Sequence, residues 1–208
     1  TCLKKCYFET YRFSEDLDFT LQDPAHLDEA FLKRVFAEIG DWVYEQCGLQ
    51  VDPADQRFDL FQNPQGQLRC EGKISYRGPV SPRSAPRIKL DLTADERLVL
   101  APAELPIFHP YSDTPVNGIT VLAYPYEEAF GEKVRALGER TRPRDLYDVI
   151  NLYRNTEARP SPAVLREVLQ QKCDFKGIEV PTFETLAGHR NDLEGSWASM
   201  LGHQLPAL

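Results

Sequence analysis

Two aspartates, Asp16 and Asp18, stand one residue apart in the stretch RFSEDLDF, and a third, Asp91, stands in IKLDL. In an extended strand alternate side chains point to opposite faces. Ser14, Asp16, Asp18 and Thr20 therefore share one face, while Phe13, Leu17 and Phe19 share the other with Glu15. The second stretch repeats the arrangement, with Ile88, Leu90 and Leu92 alternating with Lys89, Asp91 and Thr93. If the two stretches are neighbouring strands of one sheet, three carboxylates converge, and such a cluster repels itself unless a cation neutralises it. A magnesium site is the economical inference. Periodicity alone leaves a second reading open, in which acids on the outward face of a half-buried strand are simply solvated.

A sheet and its flanking helices must hold these acids. The clearest helix is expected from Asp23 as N-cap with Pro24 at the first helical position. Its apolar residues recur at Leu27, Phe31, Val35, Ile39, Val43 and Cys47, and Gly48 is the stop signal. Strands are expected over RFDLF, QLRCEGKISY and RIKLDLT, the first two joined by a turn at NPQG and the third entered from a proline-rich loop. This reads as a meandering mixed sheet. After about residue 112 the texture becomes mostly helical. Phe130, Val134 and Leu137 mark the stripe of a helix beginning near Tyr126, which leaves Lys133 beside the stripe and directed toward the sheet domain. RDLYD sets Asp145 and Asp148 on one helix face with Arg144 alongside. These acids either reach the metal site, tie Arg140 or Arg142 in place, or favour a helix N-terminus. Ser161 and Pro162 open a helix carrying Val164, Leu165, Val168 and Leu169, and Leu193, Trp197 and Leu201 share one face of a closing helix. The class is α+β, with residues 1–112 as the sheet-bearing domain and 113–208 as a helical one.

Composition sets limits. At 208 residues, 42% hydrophobic and 27% charged, the chain can bury a sizeable core, and its net charge of -8 excludes a protein whose whole surface grips nucleic acid. A local basic groove remains possible. Positive charge gathers at Arg83, Arg87 and Lys89 and again from Lys133 to Arg144 with Arg135, Arg140 and Arg142, unless both groups are ordinary solvated charge. No apolar run reaches the roughly 20 residues needed to span a bilayer, and no secretory signal opens the sequence, so a cytoplasmic location is expected. Cys2, Cys6, Cys47, Cys70 and Cys173 form no CxxC pair and are expected as reduced, mostly buried thiols. His26, His109, His189 and His203 lack metal-ligand spacing.

The series KKCYFETYRFSEDLDFTL, IKLDLT and YPYEEAFGEKVRALGERTRPRDLYDVINL resembles the nucleotidyltransferase toxin family of AbiEii/AbiGii type, known from bacterial abortive-infection and type IV toxin-antitoxin systems. The resemblance spans most of the chain, and the last segment is its most specific part. It implies a polymerase-beta-like nucleotidyltransferase fold in which three acids hold two divalent ions, Mg2+ or Mn2+. Asp16, Asp18 and Asp91 match the metal ligands, with Asp91 also drawing the proton from the acceptor hydroxyl. Lys133 matches the lysine that holds the triphosphate, and Asp145 is expected to act in the site. Thr1, Ser14, Lys89, Lys133 and Arg144 are the expected nucleotide contacts. The implied activity is transfer of a nucleoside monophosphate from an NTP to an acceptor, tRNA foremost, with an antitoxin as partner and no membrane. Members carry a Gly-Gly-Thr or Gly-Ser element before the paired acids. Here Thr1 matches its last residue and the glycines, which let backbone amides approach phosphate, are absent. That departure keeps in view a degenerate NTP-binding member acting through a protein partner; another metal-dependent phosphotransfer enzyme, built on the same acids, is a separate alternative.

Overall fold

The alternating stretches of the first hundred residues become strands in a computed structural model that describes residues 1–9, 11–63, 66–80, 85–155 and 157–206. Arg83 of the first basic group, and Pro64 and Gln65 of the NPQG turn, lie outside the described residues. Two compact units divide the chain. One comprises Thr1 and Ser14–Glu96; the other comprises Cys2–Phe13 and Arg97–Leu208.

The first unit runs β1 (Leu17–Thr20), α1 (Glu29–Cys47), β2 (Arg57–Gln62), β3 (Leu68–Ser75) and β4 (Arg87–Thr93). The strand order is β1-β4-β3-β2; β1 lies parallel to β4 and the other pairs are antiparallel, which makes the sheet mixed. Phe58, Cys70, Ile74, Leu90 and Leu92 turn to one face and bury with Leu27 and Leu32, while Leu17, Phe31, Phe36 and Val51 pack against them. Each large apolar side chain buried there contributes about 1.5–3 kcal/mol. Gly72 leaves room on this face, since a Cβ at that position would lie 3.0 Å from the Cβ of Leu90.

Three expectations change here. β1 starts only at Leu17, so Asp16 precedes the strand, and Phe13 and Phe19 are half-exposed rather than part of a greasy face. Asp23 caps a short 3-10 turn, Pro24–His26, by accepting from the amide of Ala25. α1 begins later, capped by Asp28, whose carboxylate accepts from the Phe31 amide at 2.8 Å. The buried side of α1 is Leu32 and Gly40 with Phe31 and Phe36, whereas Ile39 is 44% exposed. The reason is geometric: a repeat of four gains about 40° on each step of a 3.6-residue helix, so the run from Leu27 to Cys47 winds away from the core. Gly48, at φ 73°, ends the helix as expected.

The second unit carries a single π-type turn, Leu3–Tyr7, and an antiparallel pair, β5 (Ala103–Pro106) and β6 (Thr120–Ala123), that the sequence did not announce. Five helices follow: α2 (Tyr126–Arg140), α3 (Pro143–Arg154), α4 (Pro162–Lys176), α5 (Phe183–Gly188) and α6 (Arg190–Met200). Ser161 caps α4 as expected. Leu3, Tyr11, Tyr126, Ala129, Phe130 and Leu152 form this unit's core. Leu193 of α6 is buried, and Leu201 is buried just past that helix. A fully buried ammonium, Lys172 of α4, meets Glu128 of α2 at 2.8 Å; Glu128 also accepts from the amides of Val99 and Leu100, tying that segment to α2. Cys70 and Cys173 are buried thiols, but Cys47, at the end of α1, is exposed. Among the described residues no helix is long and apolar enough to cross a membrane.

Candidate active site

The parallel register of β1 and β4 sets Asp18 directly against Asp91. Asp91 stands against Glu71 of β3, and Glu71 against Asp59 of β2. A row of four carboxylates thus crosses the whole sheet on the face opposite the buried leucines, because paired residues project to the same side. Asp16 lies two residues before Asp18, just outside β1. Burial raises the pKa of the Asp91 carboxyl above its ordinary value, and the charge of Asp18 adds to this; Asp16 and Glu71 push the same way, while Arg69 opposes them.

Thr1 and Ser14 join the same place. The Ser14 hydroxyl lies 2.8 Å from the Thr1 hydroxyl and donates to the Asp16 carbonyl at 3.0 Å, and the Thr1 hydroxyl donates to that carbonyl too. Lys89 is exposed one row from the acids, opposite Lys73. Among the described residues no group of three or more His, Cys, Asp or Glu side chains stands ready to hold a metal ion. The donor chemistry still fits a divalent cation: the groups are carboxylates, hard oxygen donors, and the mutual repulsion felt at Asp91 is what such a charge relieves.

The second unit holds a different arrangement. Asp148, fully buried on α3, accepts from Arg12 through both oxygens at 2.7 and 2.8 Å, from the Tyr11 hydroxyl at 2.7 Å and from the Lys133 ammonium at 2.8 Å. Burial alone would raise its pKa, but the Arg12 hydrogen bonds and the Lys133 charge outweigh that and bring it down to about 2. Asp145, also fully buried, takes Arg140 in a two-pronged pair at 2.8 and 2.9 Å and lies 3.9 Å from Lys133. Of the roles left open for these acids, tying an arginine in place is realised by Asp145 with Arg140. Lys133 is held between both carboxylates. Arg144 is half-buried on α3.

The second basic group is less free than its charge suggests. Arg135 is buried and paired with Glu132 and Glu139, the latter at 2.6 Å, and Arg140 is bound to Asp145. Sequence reasoning missed Arg12 and Tyr11, the residues that hold Asp148. Arg12 is the first residue of RFSEDLDF, yet nothing local announces a partner 136 positions away.

One unit is a mixed sheet whose open face carries a row of carboxylates, and the other is a helical unit in which buried acids hold a lysine; together they define the class as α+β. The family model for the nucleotidyl transferase AbiEii toxin of type IV toxin-antitoxin systems matches residues 1–208, and the chain belongs to that family; it is a nucleotidyltransferase. No curated protein matches it. Among solved structures it is similar to MenT4, a nucleotidyltransferase toxin from Mycobacterium tuberculosis H37Rv, at 17% identity over 96% of this chain and 82% of that one, with a TM-score of 0.40.

Proposed function

We propose that this enzyme transfers a nucleoside monophosphate from an NTP to a hydroxyl of tRNA, in the cytoplasm, and that an antitoxin restrains it. The observation that carries the reading is the register pairing of Asp18 with Asp91 beside Asp16, in a chain of this family. Asp16, Asp18 and Asp91 would hold two Mg2+ or Mn2+ ions, which when bound supply charge stabilisation at the transferred phosphorus and lower the pKa of the attacking hydroxyl. Asp91 takes the proton of the acceptor hydroxyl as its oxygen bonds to the α-phosphorus. The bond from that phosphorus to the bridging oxygen breaks, and pyrophosphate leaves. Thr1 and Ser14, linked through the Asp16 carbonyl, offer hydroxyls to the triphosphate. Lys133, Lys89 and Arg144 supply the remaining positive charge, and Asp145 acts by holding the Lys133 and Arg140 cations.

Incubation with each labelled NTP, magnesium or manganese, and total tRNA tests this, with Asp16→Ala as control. Label on RNA only with the unmodified chain is the expected result and identifies the base. Nucleotide binding without turnover would replace the reading with that of a binding protein acting through a partner. Release of nucleotide with none attached to RNA would replace it with hydrolysis.

A further inference from the structure

One step along the open face of the sheet from the four acids lies a row of three cations. Arg57 of β2 pairs in register with Lys73 of β3, and Lys73 with Lys89 of β4; Arg87 lies on the same face of β4, paired with Ser75. Like charges directly opposite one another destabilise a sheet, and this row places three side by side on adjacent strands. Arg57, Lys89 and Arg87 are exposed and make no ion pair among the described residues; Lys73 has only a loose partner in Asp59 at 3.7 Å. Beside the row opens a polar cavity of about 230 Å³ lined by Ala54, Asp55, Arg57, Lys73, Ser75 and Arg87, with the Asp55 carboxylate turned partly to Arg77 at 3.7 Å. A chain of net charge -8 thus concentrates four cations on one patch of strand surface, next to the carboxylates that the proposed reaction uses.

We propose that this row is the docking surface for the phosphodiester backbone of an RNA acceptor, an inference that rests on the reading of Asp16, Asp18 and Asp91 as the transfer site. The spacing favours a polynucleotide over a single anion. Two inter-strand steps separate Arg57 from Lys89 by about 9.6 Å, and Arg87 lies about 6.6 Å farther along β4. Cations spread over such a distance meet successive phosphates of a backbone. Contact of this kind is independent of sequence and orients the acceptor end toward the acids.

The test is binding, so it reads out whether or not transfer occurs. Affinity for total tRNA is measured across a salt series for the unmodified chain, Arg57→Gln/Arg87→Gln, and Arg57→Gln/Lys73→Gln/Arg87→Gln, with NTP affinity and melting temperature followed in parallel. Lys89, an expected nucleotide contact, is left intact. Each cation removed should flatten the slope of log K against log salt by about 0.7–0.9. The triple variant should bind tRNA at least tenfold more weakly at low salt, with NTP affinity unchanged. Arg57→Lys/Arg87→Lys, which keeps the charge, should keep the slope. An unchanged slope in the folded Gln variants overturns the proposal, as does a loss confined to NTP affinity, which would assign the row to the triphosphate. If the row proves correct but labelled NTP never reaches RNA, the proposed function fails while the docking surface stands.

Discussion

The Arg12 guanidinium grips both oxygens of the fully buried Asp148 carboxylate, at 2.7 and 2.8 Å, across 136 positions of sequence. Removing one partner of a buried charge pair strands the other, so Arg12→Ala should cost on the order of 3 kcal/mol in urea unfolding. Tyr11 and Lys133 keep part of the compensation. Arg12→Lys retains the charge but not the planar fork, and should lose less than the alanine variant yet remain below the native chain. Equal stability of all three would mean that the pair contributes nothing.

Asp148 also predicts a pH dependence. Its carboxyl titrates at about 2 in the folded chain, against about 3.9 when unfolded. A depressed folded value means that the unfolded state takes up the proton first as the medium acidifies. The contribution, on the order of 2 kcal/mol, is therefore complete above the unfolded value and drains away between about pH 5 and pH 2. The stability gap between the native chain and Asp148→Asn should narrow across that window. A gap that stays constant would show that Asp148 is not held as a paired anion.

The strands around Asp18 and Asp91 were legible because alternation has a period of two and the apolar residues of β3 and β4 kept to it. That β1 and β4 are neighbours, with Asp18 set against Asp91, was legible too, since both stretches showed the same pattern. The buried side of α1 was misplaced because a strict repeat of four drifts around a helix, and the start of α1 because two capping aspartates, Asp23 and Asp28, compete in one short stretch. The grip on Asp148 was invisible: Arg12 lies just before the first acids in sequence, but belongs with α2 and α3 in space. Neither the row of four acids nor the row of cations could be read from one strand at a time, because both are products of register.

Packing between α2 and α4 makes a further prediction. A Cβ at Gly131 would lie 2.6 Å from Cγ1 of Val168, which is itself fully buried. Alanine favours a helix over glycine by about 1 kcal/mol, but overpacking costs typically 1–3 kcal/mol, and here the steric cost should win. Gly131→Ala is expected to destabilise. Combining it with Val168→Ala should lose less than the sum of the two single changes, a coupling that a double-mutant cycle in urea reads directly. Strict additivity would mean that the helices separate to make room.

The carboxylate row predicts that function and stability oppose each other. Asp18 and Asp91 face one another, with Glu71 and Asp59 continuing the line, and each like-charged contact across strands costs a few tenths to about 1 kcal/mol. In the presence of a chelator, Asp91→Asn should therefore melt higher than the native chain, by about 2–4 °C for each kcal/mol relieved. Adding Mg2+ should raise the native melting temperature by mass action and the variant's much less, closing or inverting the difference. Nucleotidyl transfer should fall by about 10²–10⁴-fold in the same variant if, as proposed, Asp91 is both a metal ligand and the proton acceptor. A native chain that melts above Asp91→Asn in chelator, and is indifferent to Mg2+, would mean that the four acids are solvated surface charge and that the metal site lies elsewhere.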